Sequence, residues 1–193
     1  PPGTSPMQLT TPRLVLRELT AADFPAVREI DGDGLAQRFE HTPYTEDETR
    51  LRLEKALADA KDPAAAGRYR FAITVRPQDA LRGWIALTRN NSVIREYEIG
   101  WTVRRADWGR GYAPEAAREV LRFAFENLNA HRVIAFCHAD NLNSLRVMAK
   151  LGMQLEGRLR ETRWLDGYWH DECVSAILER EFAAQASQSS PTR

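Results

Sequence analysis

Apolar and polar residues alternate along this chain in two rhythms, one typical of strands and the other of helices. Leu14 and Leu16, with Arg13 and Arg17 beside them, alternate as a half-buried strand. Further strand-like runs lie at residues 69–75, 81–88, 94–103, 132–138, 153–164 and 169–181. Helical spacing predicts helices at 21–31, 45–61, 114–127 and, from the cap at Asn141 to Gly152, a short fourth helix. Strand-rich segments interleaved with helices predict a single α/β domain with a mixed sheet.

Residues that favour turns and caps mark the boundaries between these elements. Asn90-Asn91 predicts a hairpin turn between two strands, and Asp166-Gly167 predicts another between the last two. Pro114 suits the first position of a helix, where its missing N–H costs nothing. These boundaries are therefore marked by the residue types that such turns and caps favour.

The two ends of the chain differ in composition from its middle. Residues 1–7 are rich in proline and residues 183–193 in alanine, serine and glutamine. Both ends are expected to be disordered, because they offer little apolar surface to bury. The middle shows neither an internal repeat nor a linker-like stretch, so we place the single domain at residues 8–182.

Composition narrows the class of protein. The 193 residues are 43% hydrophobic, which is enough for one buried core. Acidic and basic residues number 27 each, and the resulting net charge of zero argues against nucleic acid as a bulk electrostatic partner. No apolar stretch approaches the roughly 18 residues of a membrane span. Cys137 and Cys173 are too few and too far apart in sequence for a disulfide framework or a metal site, so we expect a reduced, cytoplasmic protein without a metal.

The most informative segment is the glycine-containing turn between the strand at 94–103 and the helix at Pro114. Gly109 and Gly111 let the backbone bend tightly and approach a ligand closely. The free N–H groups of the first helical turn, together with the helix dipole, favour a phosphate or pyrophosphate there. No Gly-Lys-Ser/Thr triplet occurs, which excludes a P-loop, and Pro114 stands where a dinucleotide fingerprint needs a small residue. The turn therefore predicts a site for another phosphate-bearing cofactor.

This turn resembles the acyl-CoA pyrophosphate loop of the GCN5-related N-acetyltransferase (GNAT) superfamily, which reads Gln/Arg-x-x-Gly-x-Gly/Ala. Gly111 and Ala113 match the last two fixed positions, while Trp108 stands where Gln or Arg is usual. The Trp-Gly-x-Gly-Tyr-Ala variant is similar to the branch that contains the ribosomal-protein N-terminal acetyltransferases (RimJ/RimL-like). Residues 9–24 and 141–157 also resemble that branch, so the likeness spans about residues 8–182.

The resemblance implies a GNAT fold, an α/β architecture with a mixed, mostly antiparallel sheet of six to seven strands flanked by helices. In that fold a splayed strand pair forms the acyl-CoA cleft. The implied reaction transfers an acetyl group from acetyl-CoA, as co-substrate, to a primary amine that attacks the thioester directly. The residues that the resemblance places at the cofactor are Trp101, Thr102, Val103, Trp108, Gly109, Arg110, Gly111, Tyr112, Ala113, Asn141 and Ser144.

Asn141 and Ser144 match the family's Asn-x-x-Ser, with Asn141 at pantetheine or an ordered water and Ser144 near the sulfur. Many family members use a tyrosine further along this helix as the general acid. The corresponding stretch here, Val147-Met-Ala, contains none, which makes Ser144 the candidate proton donor to the leaving thiolate. A helix cap for Asn141 and a first-turn hydroxyl for Ser144 are the structural alternatives.

Two charged residues of the loop receive different roles. Arg110 lies between the two glycines, where an exposed cation would meet the pyrophosphate. Glu115 lies in the first turn of the helix, where the dipole favours a carboxylate. Because Glu115 would repel a diphosphate if it pointed inward, we assign it to structure.

The general base is the least determined role. Glu98 lies two residues before Gly100, on the strand whose edge should hold the thioester, and is the first candidate. Glu96 shares its face and is the second, and Glu161 and His138 are further options. The aromatic and charged segment 161–171 either walls the acceptor pocket or forms a subunit contact.

Three functions compete at this point. The first is an N-acetyltransferase that acts on a protein N-terminus or on a small amine such as a polyamine, an amino acid or an aminoglycoside. The second is a non-catalytic acyl-CoA-binding regulatory module on the same fold. The third is a different nucleotide-binding enzyme, which the missing motifs disfavour. The expected partners are acetyl-CoA and the amine, without nucleic acid or membrane, in a monomer or a homodimer.

Overall fold

The computed structural model describes residues 7–188. The strands are β1 (Gln8–Thr10), β2 (Leu14–Glu18), β3 (Arg68–Val75), β4 (Leu81–Asn91), β5 (Glu96–Val103), β6 (Arg132–His138), β7 (Gln154–Leu165) and β8 (Tyr168–Leu178). The α-helices are α1 (Phe24–Asp31), α2 (Gly34–Gln37), α3 (Glu46–Asp59), α4 (Pro63–Ala66), α5 (Tyr112–Glu126), α6 (Leu142–Lys150) and α7 (Glu179–Gln188). Short 3₁₀ turns at Ala21–Asp23 and Arg105–Asp107 precede α1 and the α5 loop.

All eight strands form one mixed sheet in the order β1-β2-β3-β4-β5-β6-β8-β7. Every neighbouring pair is antiparallel except β5 and β6, which run parallel. The expected α/β fold with a mostly antiparallel sheet is thus confirmed, with eight strands instead of six to seven. The additional strand is β1, whose three residues pair Leu9 with Leu16 and are too short to show a period in the sequence.

Strands β5 and β6 separate soon after they meet. Their register contains three pairs, which end with Glu98 opposite Ile134. Beyond that point residues 99–103 and 135–138 have no pairing with each other. This separation is the splayed pair that the resemblance implies, and it opens a gap at the centre of the sheet.

Each face of the sheet packs against different helices. Helix α5 buries Ala117, Val120, Leu121 and Ala124 against one face, together with Leu14, Phe71, Ile85 and Ile99. The predicted apolar face of this helix is therefore confirmed. The opposite face packs Ala72 against Val27, Ile30 and Leu53 from α1 and α3. The second cluster is smaller, so part of that face stays open.

Several element boundaries differ from the sequence prediction, the short helices α2 and α4 were not predicted, and three of the differences have a clear physical cause. Helix α5 begins at Tyr112, which places Pro114 third, still within the first turn where no intrahelical N–H bond is lost. Strand β4 continues through Asn91, and the turn follows it because the Asn91 Oδ1 accepts hydrogen bonds from the N–H groups of Val93 and Ile94.

The third difference lies at the end of the chain. Strand β8 ends at Leu178 rather than at 181, and residues 183–188, expected to be disordered, belong to helix α7. Phe182 explains this helix, because its ring packs 5.2 Å from that of Phe125 and anchors α7 to α5. Residues 1–6 and 189–193 of the predicted disordered ends lie outside the described residues. No helix within residues 7–188 is long and apolar enough to cross a membrane.

Candidate active site

The glycine turn joins β5 to α5 with the geometry of an anion cradle. Gly109 and Gly111 have φ angles of 77° and 80°, in the left-handed region that favours glycine. Gly111 caps α5, so the N–H groups of Tyr112 and Ala113 have no intrahelical acceptor. These donors and the positive end of the α5 dipole can bind a pyrophosphate.

The opening segment of the chain supports this loop. Arg13 Nη1 donates to the carbonyl oxygen of Arg110 at 3.0 Å, and the rest of the guanidinium binds Glu115. Glu115 therefore has the structural role assigned from the sequence, and its carboxylate is turned toward Arg13 and Thr11. The function of Arg13 as a support for the loop was missed, because only the fold brings it to α5.

Arg110 pairs with an acid that the sequence analysis overlooked. Asp107 is buried, and its carboxylate accepts a hydrogen bond from Arg104 Nε at 2.9 Å. Arg110 Nε lies 3.6 Å from the same carboxylate, while 60% of the Arg110 side chain remains exposed. Arg110 is thus held beside the loop without being enclosed by it.

The edge of β5 exposes backbone groups to the gap. The N–H of Arg104 donates to the carbonyl of Arg82 on β4 at 2.7 Å, so Thr102, two residues earlier, also turns its backbone to β4. Trp101 and Val103 therefore direct their backbone groups toward the gap. The Val103 carbonyl accepts a hydrogen bond from Trp108 Nε1 at 2.8 Å, which folds the loop back onto the strand. Among residues 7–188 no strand pairs with Trp101 on the side of the gap, so its backbone can pair with an amide of a ligand.

A cleft of about 290 Å³ collects the predicted cofactor residues. Ten of the eleven residues expected at the cofactor line it, and Arg110 is the exception. The ten are Trp101, Thr102, Val103, Trp108, Gly109, Gly111, Tyr112, Ala113, Asn141 and Ser144. The other lining residues include Leu35, Phe39 and Glu40, from α2 and the loop after it, which were missed because no motif marks that segment.

Asn141 and Ser144 meet at the start of α6. The Asn141 Oδ1 accepts a hydrogen bond from the Ser144 N–H at 3.2 Å, so the predicted helix cap is present. Within residues 7–188 the Ser144 hydroxyl has no hydrogen-bond partner, although Ser144 lines the cleft. The hydroxyl is therefore available to a bound molecule.

Glu98 lies where β5 and β6 separate. Burial raises the pKa of its carboxyl above the usual range, and the nearby carboxylates of Glu172 and Glu96 raise that pKa further. The opposing charges of Arg163 and Arg68 reduce the effect. Gly100, next on the same face, is exposed, and a Cβ there would meet no atom within 4 Å. Glu98 thus borders open space at the edge of the gap.

The other base candidates have different surroundings. Glu96 is buried between Arg132 Nε at 2.6 Å and Asn90 Nδ2 at 2.5 Å, which is a structural ion pair. His138 is buried, burial lowers its pKa, and its Nδ1 accepts a hydrogen bond from the Asp140 N–H at 3.0 Å. Glu161 lies exposed on β7, away from the cleft. Glu98 does not line the cleft either, but it lies at the last residue pair before β5 and β6 separate, next to the open space at Gly100.

The late hairpin divides into two parts. Arg163 Nε donates to Glu172 at 2.9 Å, and its Nη1 donates to the carbonyl of Glu40 at 3.0 Å, which ties β7 to the wall of the cleft. Trp164, Tyr168 and Trp169, in contrast, lie exposed near the hairpin tip. Among residues 7–188 no group of three or more His, Cys, Asp or Glu side chains could hold a metal ion.

Comparisons with known proteins agree with this geometry. The Acetyltransferase (GNAT) domain matches residues 13–154. The "Uncharacterized N-acetyltransferase YnaD" of Bacillus subtilis is 33% identical over 177 residues, 91% of this chain and 99% of that protein. The spermidine N(1)-acetyltransferase of Escherichia coli is 22% identical, with 88% of each chain covered.

A solved structure shows the same relationship in three dimensions. The GNAT-family acetyltransferase of Bacillus anthracis superposes with a TM-score of 0.80 and 31% identity, over 91% of this chain and all of that one. The separated strands, the glycine loop and these matches lead to one conclusion. The chain belongs to the GNAT acetyltransferase family and is an acetyl-transferring enzyme.

Proposed function

We propose that this enzyme transfers the acetyl group of acetyl-CoA to a primary α-amine, such as a protein N-terminus, by direct attack on the thioester. The observation that carries the proposal is Glu98, whose carboxylate has a raised pKa and borders open space where β5 leaves β6. The similarity of the loop from Trp108 to Ala113 to the RimJ/RimL-like branch supports an α-amine as the acceptor.

The cleft has the donors that acetyl-CoA requires. The first-turn N–H groups of α5 would bind the pyrophosphate, with Arg110 adding positive charge beside it. The free backbone edge at Trp101 would pair with pantetheine. Bound in this way, acetyl-CoA supplies the activated acyl group, and the protein supplies position and proton transfer.

Glu98 acts as the general base through a water molecule. A protein N-terminal amine has a pKa of about 7.7–8.0, against about 10.4 for a lysine side chain, so a weak base suffices for it. A carboxylate whose pKa is raised accepts a proton more readily than an ordinary surface glutamate. The raised pKa therefore brings the carboxylate closer in strength to the acceptor amine.

Ser144 donates a proton to the leaving thiolate. Its hydroxyl lies at the start of α6, lines the cleft and has no competing partner among the described side chains. Asn141 holds it in place through the helix cap and offers its amide N–H₂ to pantetheine or to an ordered water.

A small amine is the second candidate acceptor, because the spermidine N(1)-acetyltransferase of Escherichia coli matches most of the chain. Thiol release from acetyl-CoA, measured with peptides of varied N-terminal residues and with polyamines and aminoglycosides, separates the two. We expect thiol release to require an acceptor and to be faster with peptides that have a free N-terminal α-amine than with polyamines or aminoglycosides. Binding of CoA without acceptor-dependent thiol release from any amine would refute the proposal.

A further inference from the structure

The charge and the donors of Arg70 on β3 are only partly satisfied by the residues around it. Within residues 7–188 its guanidinium makes no hydrogen bond and no ion pair, and its Nε is buried and unpartnered. Its guanidinium stacks on the Trp84 ring, whose centroid lies 5.3 Å from Cζ. A buried polar group without a partner is costly, so such a group is a candidate to bind a ligand.

The nearby carboxylates form ion pairs with other arginines. Asp31 binds Arg52 at 2.8 Å through Oδ2, and its Oδ1 reaches no donor. Asp59 binds Arg68 at 3.4 Å. Burial lowers the pKa of Arg70, and the neighbouring cations lower it further. The carboxylates of Asp59 and Asp31 therefore lie near Arg70 and partly offset these effects on its pKa, but each is bound to another arginine and neither forms an ion pair with Arg70 within residues 7–188.

Arg70 faces the catalytic edge across a row of small residues. It pairs with Ala86 on β4, and Ala86 pairs with Gly100 on β5, so all three share one face of the sheet. Glu98 lies on the same face, two residues from Gly100. Because neighbouring strands lie about 4.8 Å apart, the Cα atom of Arg70 is roughly 10 Å from that of Gly100. The guanidinium stacks on Trp84 and therefore lies over β4. Gly100 leaves open space on this face of the sheet, although Arg70 itself does not line the cleft.

We propose that Arg70 binds a carboxylate of the acceptor, so that the substrate carries a carboxylate a few bonds from the amine that is acetylated. This inference rests on the proposed function. A guanidinium pairs with a carboxylate through two parallel N–H···O bonds, and Arg70 has its donors free for them. A free amino acid and a peptide with an acidic side chain beside its N-terminus both supply this chemistry.

The same charges disfavour a polyamine. A second ammonium group of a polyamine would approach Arg70 and Arg52, which already repel each other. Arg163 binds the two carboxylates on the other side of the site, those of Glu40 and Glu172, and offsets part of their negative charge. Discrimination between acceptors would therefore arise from repulsion of the wrong charge as well as attraction of the right one.

The test compares matched acceptors on matched variants. The common α-amino acids, each with its amide, measure the contribution of a free carboxylate. Dipeptide amides with Asp or Asn in the second position measure that of an acidic side chain, and 1,4-diaminobutane represents the polyamines. The variants are Arg70→Met, which keeps the stem over Trp84, and Arg70→Lys, which keeps the charge but loses the two-point contact. Arg50→Met is the control, because Arg50 lies on α3 and is paired with Glu46.

We expect the wild type to prefer one carboxylate series over its neutral counterpart by about 10- to 100-fold in kcat/KM, the value of a charge-assisted contact. Arg70→Met should remove this preference, Arg70→Lys should restore part of it, and Arg50→Met should leave it unchanged. Calorimetric affinity for acetyl-CoA should stay the same in Arg70→Met. A preference within the amino-acid series would point to a free amino acid as the acceptor. A preference within the dipeptide series would point to a peptide with an acidic side chain beside its N-terminus.

Equal rates with the acids, their neutral counterparts and the diamine would overturn the inference, as would a preference that survives in Arg70→Met. The proposed function fails separately, if no amine increases thiol release. Calorimetry of the same amino acids and dipeptides with the CoA-bound protein then still tests Arg70. Binding that Arg70→Met abolishes would support the carboxylate site, and absence of binding would exclude it.

Discussion

Arg13 and Glu115, 102 residues apart in sequence, are joined at the base of the glycine loop. Arg13 Nε and Nη2 lie 2.7 and 2.6 Å from Glu115 Oε2. The other carboxylate oxygen accepts hydrogen bonds from Thr11 Oγ1 at 2.5 Å and from the Arg13 N–H at 3.2 Å. The pair clamps the segment before β2 to the first turn of α5, so the loop is supported before any ligand arrives.

Glu115→Gln should reduce both stability and cofactor affinity. Burial opposes ionisation of Glu115, but the hydrogen bonds from Thr11 and Arg13 outweigh it and hold the pKa of the carboxyl below its usual range. A lowered pKa stabilises the fold above the unfolded value of about 4.3, and that stability is lost as the pH falls through the folded value. We expect the free energy of unfolding of the variant to be lower by roughly 1–3 kcal/mol at neutral pH. It should also fall less steeply than that of the wild type as the pH is lowered, and urea unfolding at several pH values measures both effects. An unchanged acid decline would contradict this role.

Gly111→Val should abolish CoA binding while the fold survives. A β-branched residue at a φ of 80° costs about 1–2 kcal/mol and disturbs the donors of the first helical turn. Gly167→Val is the matched control, since Gly167 has a φ of 83° in the β7–β8 turn, with no atom within 4 Å of an added Cβ. Calorimetry should show lost affinity in the first variant alone. Equal affinity in both would place the pyrophosphate elsewhere.

Ser144→Ala should leave acetyl-CoA affinity nearly intact and lower kcat by about 10²-fold if proton transfer to the thiolate limits the rate. A smaller loss is expected with an acceptor whose own chemistry is slower. Asn141→Ala should act less directly, because loss of the cap costs about 1 kcal/mol of stability. Steady-state rates combined with calorimetry separate the two effects. A Ser144→Ala enzyme with full turnover would leave Ser144 as a helix hydroxyl.

Glu98→Gln should change the pH dependence of the rate. In the wild type the carboxylate loses its function as the pH falls through its raised pKa, so activity declines at low pH. The glutamine variant should be slowest at low pH relative to wild type and recover as the pH rises, because free amine then forms without help. Glu96→Gln serves as the control, since it breaks the ion pair with Arg132 and removes a charge that raises the pKa of Glu98. It should lower stability and move the acid limb of the profile to lower pH, while the limb itself is retained. Parallel profiles for Glu98→Gln and wild type would remove Glu98 from the mechanism.

Local patterns in the sequence predicted the fold and most of the cleft. The spacing from Trp108 to Ala113 and from Asn141 to Ser144 is contiguous in the chain, so a motif can report it. The cap of Asn141 and the buried face of α5 followed from the same short-range rules. These features depend on neighbours within one or two turns.

Features that depend on tertiary contacts could not be predicted in this way. Arg163 reaches Glu40 across 123 residues, and Arg70 shares a face with Gly100 through the register of three strands. Helix α7 depends on Phe182 packing against Phe125, which its alanine- and serine-rich sequence conceals. In each case the partner is chosen by the fold and not by sequence spacing.

The short parallel register of β5 and β6 divides the sheet into two parts, β1–β5 and β6–β8, which we call plates. The paired residues of β5 and β6 form the seam between them. Three residue pairs connect β1–β5 to β6–β8, and Arg132 reinforces the seam by binding Glu96 on one side and Glu156 on the other. A cofactor lying in the gap would act as a missing strand and complete the connection along its length. Acetyl-CoA would then stabilise the whole molecule as it binds, because it has affinity only for the assembled pair of plates.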